Sequence, residues 1–337
     1  MAAPPPEARF WSRRDDGRVE CALCPHACRI AEGRTGICGV RRNDSGTLRA
    51  LTYGRAAAVH VDPIEKKPLF HFMPGSRILS IGMAGCNLTC SFCQNWTLSR
   101  ASPDDLPGDC LAPPDAVALA RRARAPSIAF TYNEPTVSAE YVMDTAALAS
   151  EAGLRSVMVT NGYVRLEAVP DLYRHVDAAN VDLKAFTDDF YRRHAGARLQ
   201  PVLDAAVAMA AAGTFLEVTT LVIPGLNSEP SEIAVSARWI RDNLGADTPL
   251  HLSAFHPDYR MTDRPATPPA MLAAARDAAR DAGLRFVYEG NVRSDGCNTV
   301  CPSCGRTVVR RAGNEVTAFD LDAEDRCACG AVIPIRR

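Results

Sequence analysis

Between Arg77 and Tyr288 the chain alternates seven short runs rich in β-branched residues with six longer, Ala-rich amphipathic stretches. The runs are 77–83, 127–132, 156–160, 180–183, 215–223, 250–255 and 285–288, and their composition predicts strands. Helices are predicted between them over 115–124, 137–152, 167–175, 200–212, 231–244 and 268–282. Gly153, Gly213 and Gly283 each follow such a stretch and read as C′ glycines, and Thr267 before Pro268 reads as an N-cap. Repeated strand-then-helix units require a parallel sheet with right-handed crossovers. The fold class is therefore α/β. Six or seven units suit an open, partial (β/α) barrel better than a complete eightfold one. A doubly wound open sheet is the alternative.

In such barrels the reactive groups sit where the strands end and the βα loops converge. The predicted strands end at Gly85-Cys86, at Asn133-Glu134-Pro135, at Thr160-Asn161-Gly162, at Asp182 and Lys184, at His256, and at Glu289-Gly290-Asn291. Thr-Asn-Gly alone is ordinary turn chemistry. Six polar strand ends in successive units point instead to one shared pocket.

The thirteen cysteines sort into three groups, leaving Cys110 and Cys297 unassigned. Cys86, Cys90 and Cys93 have the spacing C-x3-C-x2-C with no fourth cysteine nearby. Clusters that only carry electrons use four thiolates; three match a [4Fe-4S] cluster with one iron open to a small molecule. Zinc would want a fourth ligand, and Cys110 lies seventeen residues beyond Cys93 in a Pro/Asp-rich loop. Cys21, Cys24, Cys28 and Cys38, spaced C-x2-C-x3-C-x9-C, offer four ligands to zinc or to an auxiliary iron–sulfur cluster. His26 beside Cys24 reads as structural. Cys301, Cys304, Cys327 and Cys329 form two knuckles of the kind found in zinc ribbons. The second knuckle is C-x-C, so Cys297 is a substitute ligand to consider.

These landmarks divide the chain into a Pro-rich, disordered leader over 1–17, a Cys-rich module over 18–67, a core over 68–292 and a zinc-ribbon-like module over 293–337. A net charge of −1 without a basic block argues against nucleic acid or an anionic membrane as partner. The longest apolar stretch, 205–212, is too short to cross a bilayer. The N-terminus lacks the apolar run of a secretory signal, and the expectation is a cytoplasmic, reducing compartment. Of 38 basic residues only Lys66, Lys67 and Lys184 are lysine, which singles them out as places where a guanidinium would not serve.

With Phe92 just before its third cysteine, the triplet resembles that of the radical S-adenosylmethionine (SAM) superfamily. The resemblance implies that the chain is an enzyme with a partial (β/α)6-type radical SAM barrel. It implies a [4Fe-4S] cluster and SAM as cofactors, SAM chelating the open iron through its amino and carboxylate groups. Reductive cleavage to a 5′-deoxyadenosyl radical and hydrogen abstraction from a substrate would follow. Glu134 would accept from the SAM amino group, with Asn133 beside it, and Lys184 would neutralise the carboxylate. Asn161 and Asp182 would bind ribose hydroxyls or orient the lysine, and Phe92 would cover the adenine. His256 would act in substrate proton transfer or positioning. A low-potential electron donor of the flavodoxin or ferredoxin type is implied as well.

The core resembles the pyruvate formate-lyase-activating type, whose Gly-Gly-Glu-Pro motif is matched by Glu134-Pro135, with Tyr132-Asn133 in place of the paired glycines. Asp182-Leu183-Lys184 and Val222-Ile223-Pro224-Gly225 match the activating enzymes too. A narrower resemblance, to the radical SAM enzyme of the AmmeMemoRadiSam system, covers nearly the whole chain. It rests on Leu23-Cys24-Pro25-His26, the segment Asp62 to Leu69, Cys93-Gln94-Asn95-Trp96, the segment Phe255 to Tyr259 and the C-terminal knuckles. That resemblance implies association with Memo-like and AMMECR1-like proteins and leaves the substrate unidentified. The alternatives are a glycyl-radical-enzyme activase and, more remotely, a non-catalytic metal-binding module.

Overall fold

The computed structural model describes residues 5–106 and 109–337. Seven parallel strands cross one sheet: β1 (Arg77–Gly82), β2 (Ser127–Phe130), β3 (Arg155–Thr160), β4 (Ala178–Asp182), β5 (Phe215–Val222), β6 (Leu250–Ala254) and β7 (Val287–Gly290). Spatial order follows chain order throughout, so the sheet has no switch point at which a doubly wound fold would turn back. β7 does not pair with the opposite edge, and the barrel is therefore partial. Every residue of β2 and of β6 is buried, as in strands of a parallel sheet covered on both faces.

Five helices cover the outside: α1 (Pro113–Arg122), α2 (Ala139–Glu151), α3 (Leu199–Ala211), α4 (Pro230–Asn243) and α5 (Pro269–Asp281). The expected C′ glycines after α2, α3 and α5 all take positive φ. The helix expected over 167–175 is only a 3-10 turn, Leu166–Ala168, and one short turn, Val169–Leu172. Pro170 lacks the N–H that would let the first run on into the second. Thr267 does not cap α5. Its hydroxyl donates to Val222 O and accepts from Phe255 N, pinning β5 to the chain after β6, while Pro268 is the extended residue before the helix.

Two boundaries differ from expectation. Residues 5–17, expected to be disordered, are ordered: Trp11–Arg13 pairs with Val19–Cys21, Ala8 N donates to Leu48 O, and Arg9 N donates to Glu140 of α2 at 2.6 Å. Behind that contact, the buried Arg41 pairs with Glu140 at 3.0 Å. The strand Ala58–Pro63, assigned by sequence to the Cys-rich module, instead joins the main sheet antiparallel to β1. The loop after it joins the core to the C-terminal strands Thr299–Val300, Thr307–Ala312 and Glu315–Phe319. Glu217, fully buried near the start of β5, accepts from the N–H groups of Phe70 and His71 and from His251 Nε2. Arg311 donates to Phe70 O at 2.8 Å and lies over its ring. The C-terminal segment thus closes the end of the sheet where strands begin, leaving the other end free.

Candidate functional site

At that other end lies a cleft of about 410 Å³, within the usual range for a small-molecule site. Cys86, Cys90 and Cys93 line it, together with Asn133 and Glu134 beyond β2, Asn161 beyond β3, Asp182 and Lys184 at β4, and Asn291 beyond β7. The polar strand ends do converge. Two were misjudged. Glu289 is buried and bound to Arg276 at 2.7 Å and to Ser294 at 2.6 Å. His256 is exposed and touches the cleft only through Gln94, whose amide lies 3.0 Å from His256 Nδ1.

The cysteine loop is held by its backbone. Tyr191–Ala195 forms a π turn, a geometry common at functional sites. Its carbonyls at Ala195 and His194 accept from Thr89 N and Ser91 N. Arg100 ties the other side, donating to the carbonyls of Cys86 and Leu88. Phe92 was expected over an adenine. It lines the cleft, is 3% exposed and packs on Phe190 at 5.6 Å, a contact that also anchors the loop.

Burial pushes the Cys86 thiol up, as does the charge of Glu134. Burial likewise pushes the Cys90 thiol up to about 11, against the opposing pull of Lys184. Such thiols stay protonated until a metal takes them as thiolates. Cys86 Sγ accepts from Leu88 N at 3.3 Å. Among the described residues the three sulfurs do not close to within 4.8 Å of one another, and no other cysteine or histidine lines the cleft. That donor set fits a three-thiolate cluster with one open iron better than a single ion, which wants four close ligands.

Glu134 is buried and its carboxylate accepts three protein hydrogen bonds. Oε1 takes Thr136 N and Thr160 Oγ1, and Oε2 takes Asn161 N. A carboxylate has about four lone-pair sites, so one remains on Oε2 for a ligand in the cleft. Burial raises the Glu134 pKa despite those bonds. Asn161 also donates to Asn87 Oδ1 at 2.9 Å and reaches Cys86 Sγ at 3.7 Å, tying the carboxylate to the cysteine loop. Lys184 Nζ bonds Asp182 Oδ2 at 2.7 Å. Desolvation works against its charge, but Asp182 and Cys90 outweigh it and hold the ammonium above its usual range.

The side chain of Asn133, expected on the cofactor, is a clamp. It accepts from Met83 N and donates to the carbonyls of Ala84, Gly85 and Glu134. Tyr132 stands where the related motif has glycine and keeps glycine's conformation, with φ 71°. That strain is held by its hydroxyl, which donates to Asp62 Oδ2 at 2.7 Å, and by Lys67 above the ring at 4.4 Å. Lys67 and Lys66 also bind Asp62. All three lysines of the chain line this one cleft. Their scarcity was the only sequence signal for Lys66 and Lys67. Arg100, Tyr191 (whose hydroxyl accepts from Lys184 N) and the Tyr132–Asp62 bond carried none.

Elsewhere Cys301, Cys304, Cys327 and Cys329 bring all four sulfurs within 4.8 Å of one another. Cys297 is not among them, its thiol facing the carbonyls of Ser294 and Arg311. Cys21, Cys24, Cys28 and Cys38 surround a narrow hollow with His26, which hydrogen-bonds Asn87 O at 2.8 Å.

A partial barrel of parallel strands with a three-cysteine loop over its open end is the arrangement of one large class of proteins. The sequence profile of the radical SAM superfamily matches residues 80–237. An uncharacterized protein of Methanocaldococcus jannaschii is 43% identical over 332 residues, covering 98% of this chain and 99% of its own. The chain belongs to the radical SAM superfamily. Its fold is similar to that of SuiB from Streptococcus suis bound to S-adenosylmethionine, with a TM-score of 0.50 at 13% identity over 68% of this chain and 53% of that one. A radical SAM methyltransferase from Sphaerobacter thermophilus gives a TM-score of 0.49 at 21% identity, covering 66% and 68% of the two chains. Members of the superfamily are generally enzymes, and membership implies a [4Fe-4S] cluster and SAM. No helix among the described residues is long and apolar enough to cross a membrane.

Proposed function

We propose that this chain is a radical SAM enzyme of the AmmeMemoRadiSam type, acting on a substrate still to be identified. One observation carries the reading: three cysteines without a fourth share a cleft with a buried carboxylate that keeps one acceptor site. Cys86, Cys90 and Cys93 would hold the cluster. When bound, the reduced cluster and SAM together supply a 5′-deoxyadenosyl radical. The protein's part is binding and orientation. Oε2 of Glu134 would accept from the SAM amino group, and Lys184, held by Asp182, would neutralise the carboxylate. Asp182 Oδ1 has no hydrogen-bond partner among the described residues and suits a ribose hydroxyl. Lys66, half exposed at the cleft, and the Gln94–His256 pair at its rim are placed to meet substrate.

The near full-length resemblance favours the AmmeMemoRadiSam type, with Memo-like and AMMECR1-like proteins as partners and a flavodoxin or ferredoxin as reductant. The segment Asp62 to Leu69 supports it, since Asp62 and Lys67 hold the Tyr132 that replaces a motif glycine. Zinc at Cys301, Cys304, Cys327 and Cys329 and a cytoplasmic location belong to the same proposal. A glycyl-radical activase is the second reading, supported by the Asp182-Leu183-Lys184 and Val222 to Gly225 matches. The test is anaerobic reconstitution, reduction and addition of SAM. Wild type should form 5′-deoxyadenosine and methionine in equal amounts, and Cys90→Ala should form neither. A fully loaded wild type that forms neither would overturn the proposal.

A further inference from the structure

The two four-cysteine groups outside the cleft have different geometries, and the C-terminal one serves as an internal standard. Its sulfurs pair at 3.6 Å, Cys301 with Cys329 and Cys304 with Cys327. Four thiolates at about 2.3 Å from one tetrahedral zinc stand roughly 3.8 Å apart. The C-terminal group already has that spacing.

Cys21, Cys24, Cys28 and Cys38 do not. Among the described residues no other three ligand atoms close to within 4.8 Å, yet these four cysteines surround one hollow. Sulfurs that share one hollow without closing to tetrahedral spacing stand too far apart for one ion. They suit a cube of four irons, in which every thiolate has an iron of its own. The hollow is walled by Leu23, Ile30 and Val137, and its buried cation, Arg41, stands beside what would be a net-negative group.

We propose that Cys21, Cys24, Cys28 and Cys38 hold a second [4Fe-4S] cluster, closed by four protein thiolates, in place of zinc. A closed cluster has no open iron, so its chemistry is electron carriage and not substrate chelation. Its position agrees. Gly85, just before Cys86, has φ +91°, and a Cβ there would lie 2.7 Å from Cys38 O and 2.5 Å from Val40 Cγ1. From the hollow, His26 bonds Asn87 O, and Asn161 links Asn87 Oδ1 to Cys86 Sγ. The two cysteine groups are thus in backbone contact. Electron delivery to the cleft rests on the function proposed above; the cluster itself does not.

The test uses the full chain with Cys86, Cys90 and Cys93 all replaced by alanine, reconstituted without oxygen. We expect about four irons and four sulfides per chain, with the Mössbauer spectrum of a [4Fe-4S] cluster. Adding Cys24→Ala and Cys28→Ala should remove that iron. A triple variant holding no iron and two zinc ions overturns the proposal. Should that variant fail to fold, wild type decides by the same count: about eight irons supports the proposal, whereas about four with a second zinc overturns it. A wild type whose only four irons survive the triple substitution would sink the cleft assignment and leave this one standing.

Discussion

Glu134→Gln preserves the shape of the side chain and removes its charge. Of the three donors to the carboxylate, two are backbone N–H groups, Thr136 at 2.9 Å on Oε1 and Asn161 at 2.7 Å on Oε2. Whichever oxygen becomes NH2, one of those N–H groups then faces a donor. A buried donor left unmet costs about 1–3 kcal/mol, a melting temperature lower by roughly 2–6 °C. For SAM the loss is larger in consequence. A hydrogen bond to a charged group contributes about 1.5–3 kcal/mol, and a neutral acceptor about half of that. The variant should therefore bind SAM roughly tenfold more weakly. The assay is anaerobic equilibrium dialysis on reconstituted protein, with iron counted on each sample. Because burial raises the Glu134 pKa, its carboxylate takes a proton at a higher pH than an ordinary glutamate. Wild-type affinity should fall as pH drops through that raised value, and the glutamine variant should stay flat. SAM affinity within twofold of wild type at full iron content would refute the role given to Glu134.

Three further outcomes follow from the same geometry. Burial pushes His71 from 6.5 down to about 4, and its neutral form accepts from Tyr288 Oη at Nε2 and donates to Pro334 O from Nδ1. Stability is then fully present above pH 6.5 and lost as pH falls toward about 4, on the order of 3 kcal/mol in all. Urea unfolding at several pH values should show that slope in wild type and a shallower one in His71→Gln. Asp62→Asn leaves the buried Lys67 without its carboxylate and should cost about 3 kcal/mol; adding Lys67→Met should recover part of that, and a single variant as stable as wild type would contradict the pairing. Cys304→Ala should lose one zinc and melt at lower temperature while binding SAM as wild type does; lost SAM affinity at full iron content would tie the C-terminal group to the cleft.

What the sequence made legible was periodic or local. β2 and β6 announce themselves because both faces are covered, so apart from His251 their residues are apolar or small. Glu134, Asn161, Asp182 and Lys184 were legible because strand ends converge in a parallel barrel. Non-local contacts were hidden. Residues 5–17 look disordered from composition, yet Arg9 binds Glu140, 131 residues away. Asn133 looks like a ligand until its amide is seen clamping three carbonyls that only the fold brings together. Glu289 has the right residue type in the right register, but it is buried against Arg276 and Ser294 and does not line the cleft. The Cys21 to Cys38 spacing is compatible with zinc or an iron–sulfur cluster, and what the fold adds is that these sulfurs share one hollow without closing to within 4.8 Å of one another.

The central claim is that Cys86, Cys90 and Cys93 leave one iron open and that SAM occupies it beside Glu134. Electron–nuclear double resonance on the reduced protein with SAM carrying a ¹⁵N-labelled amino group tests this at the atoms concerned. A ¹⁵N coupling to the cluster spin is expected in wild type and should be absent when all three cysteines are replaced. A fully loaded wild type with no such coupling would contradict the account.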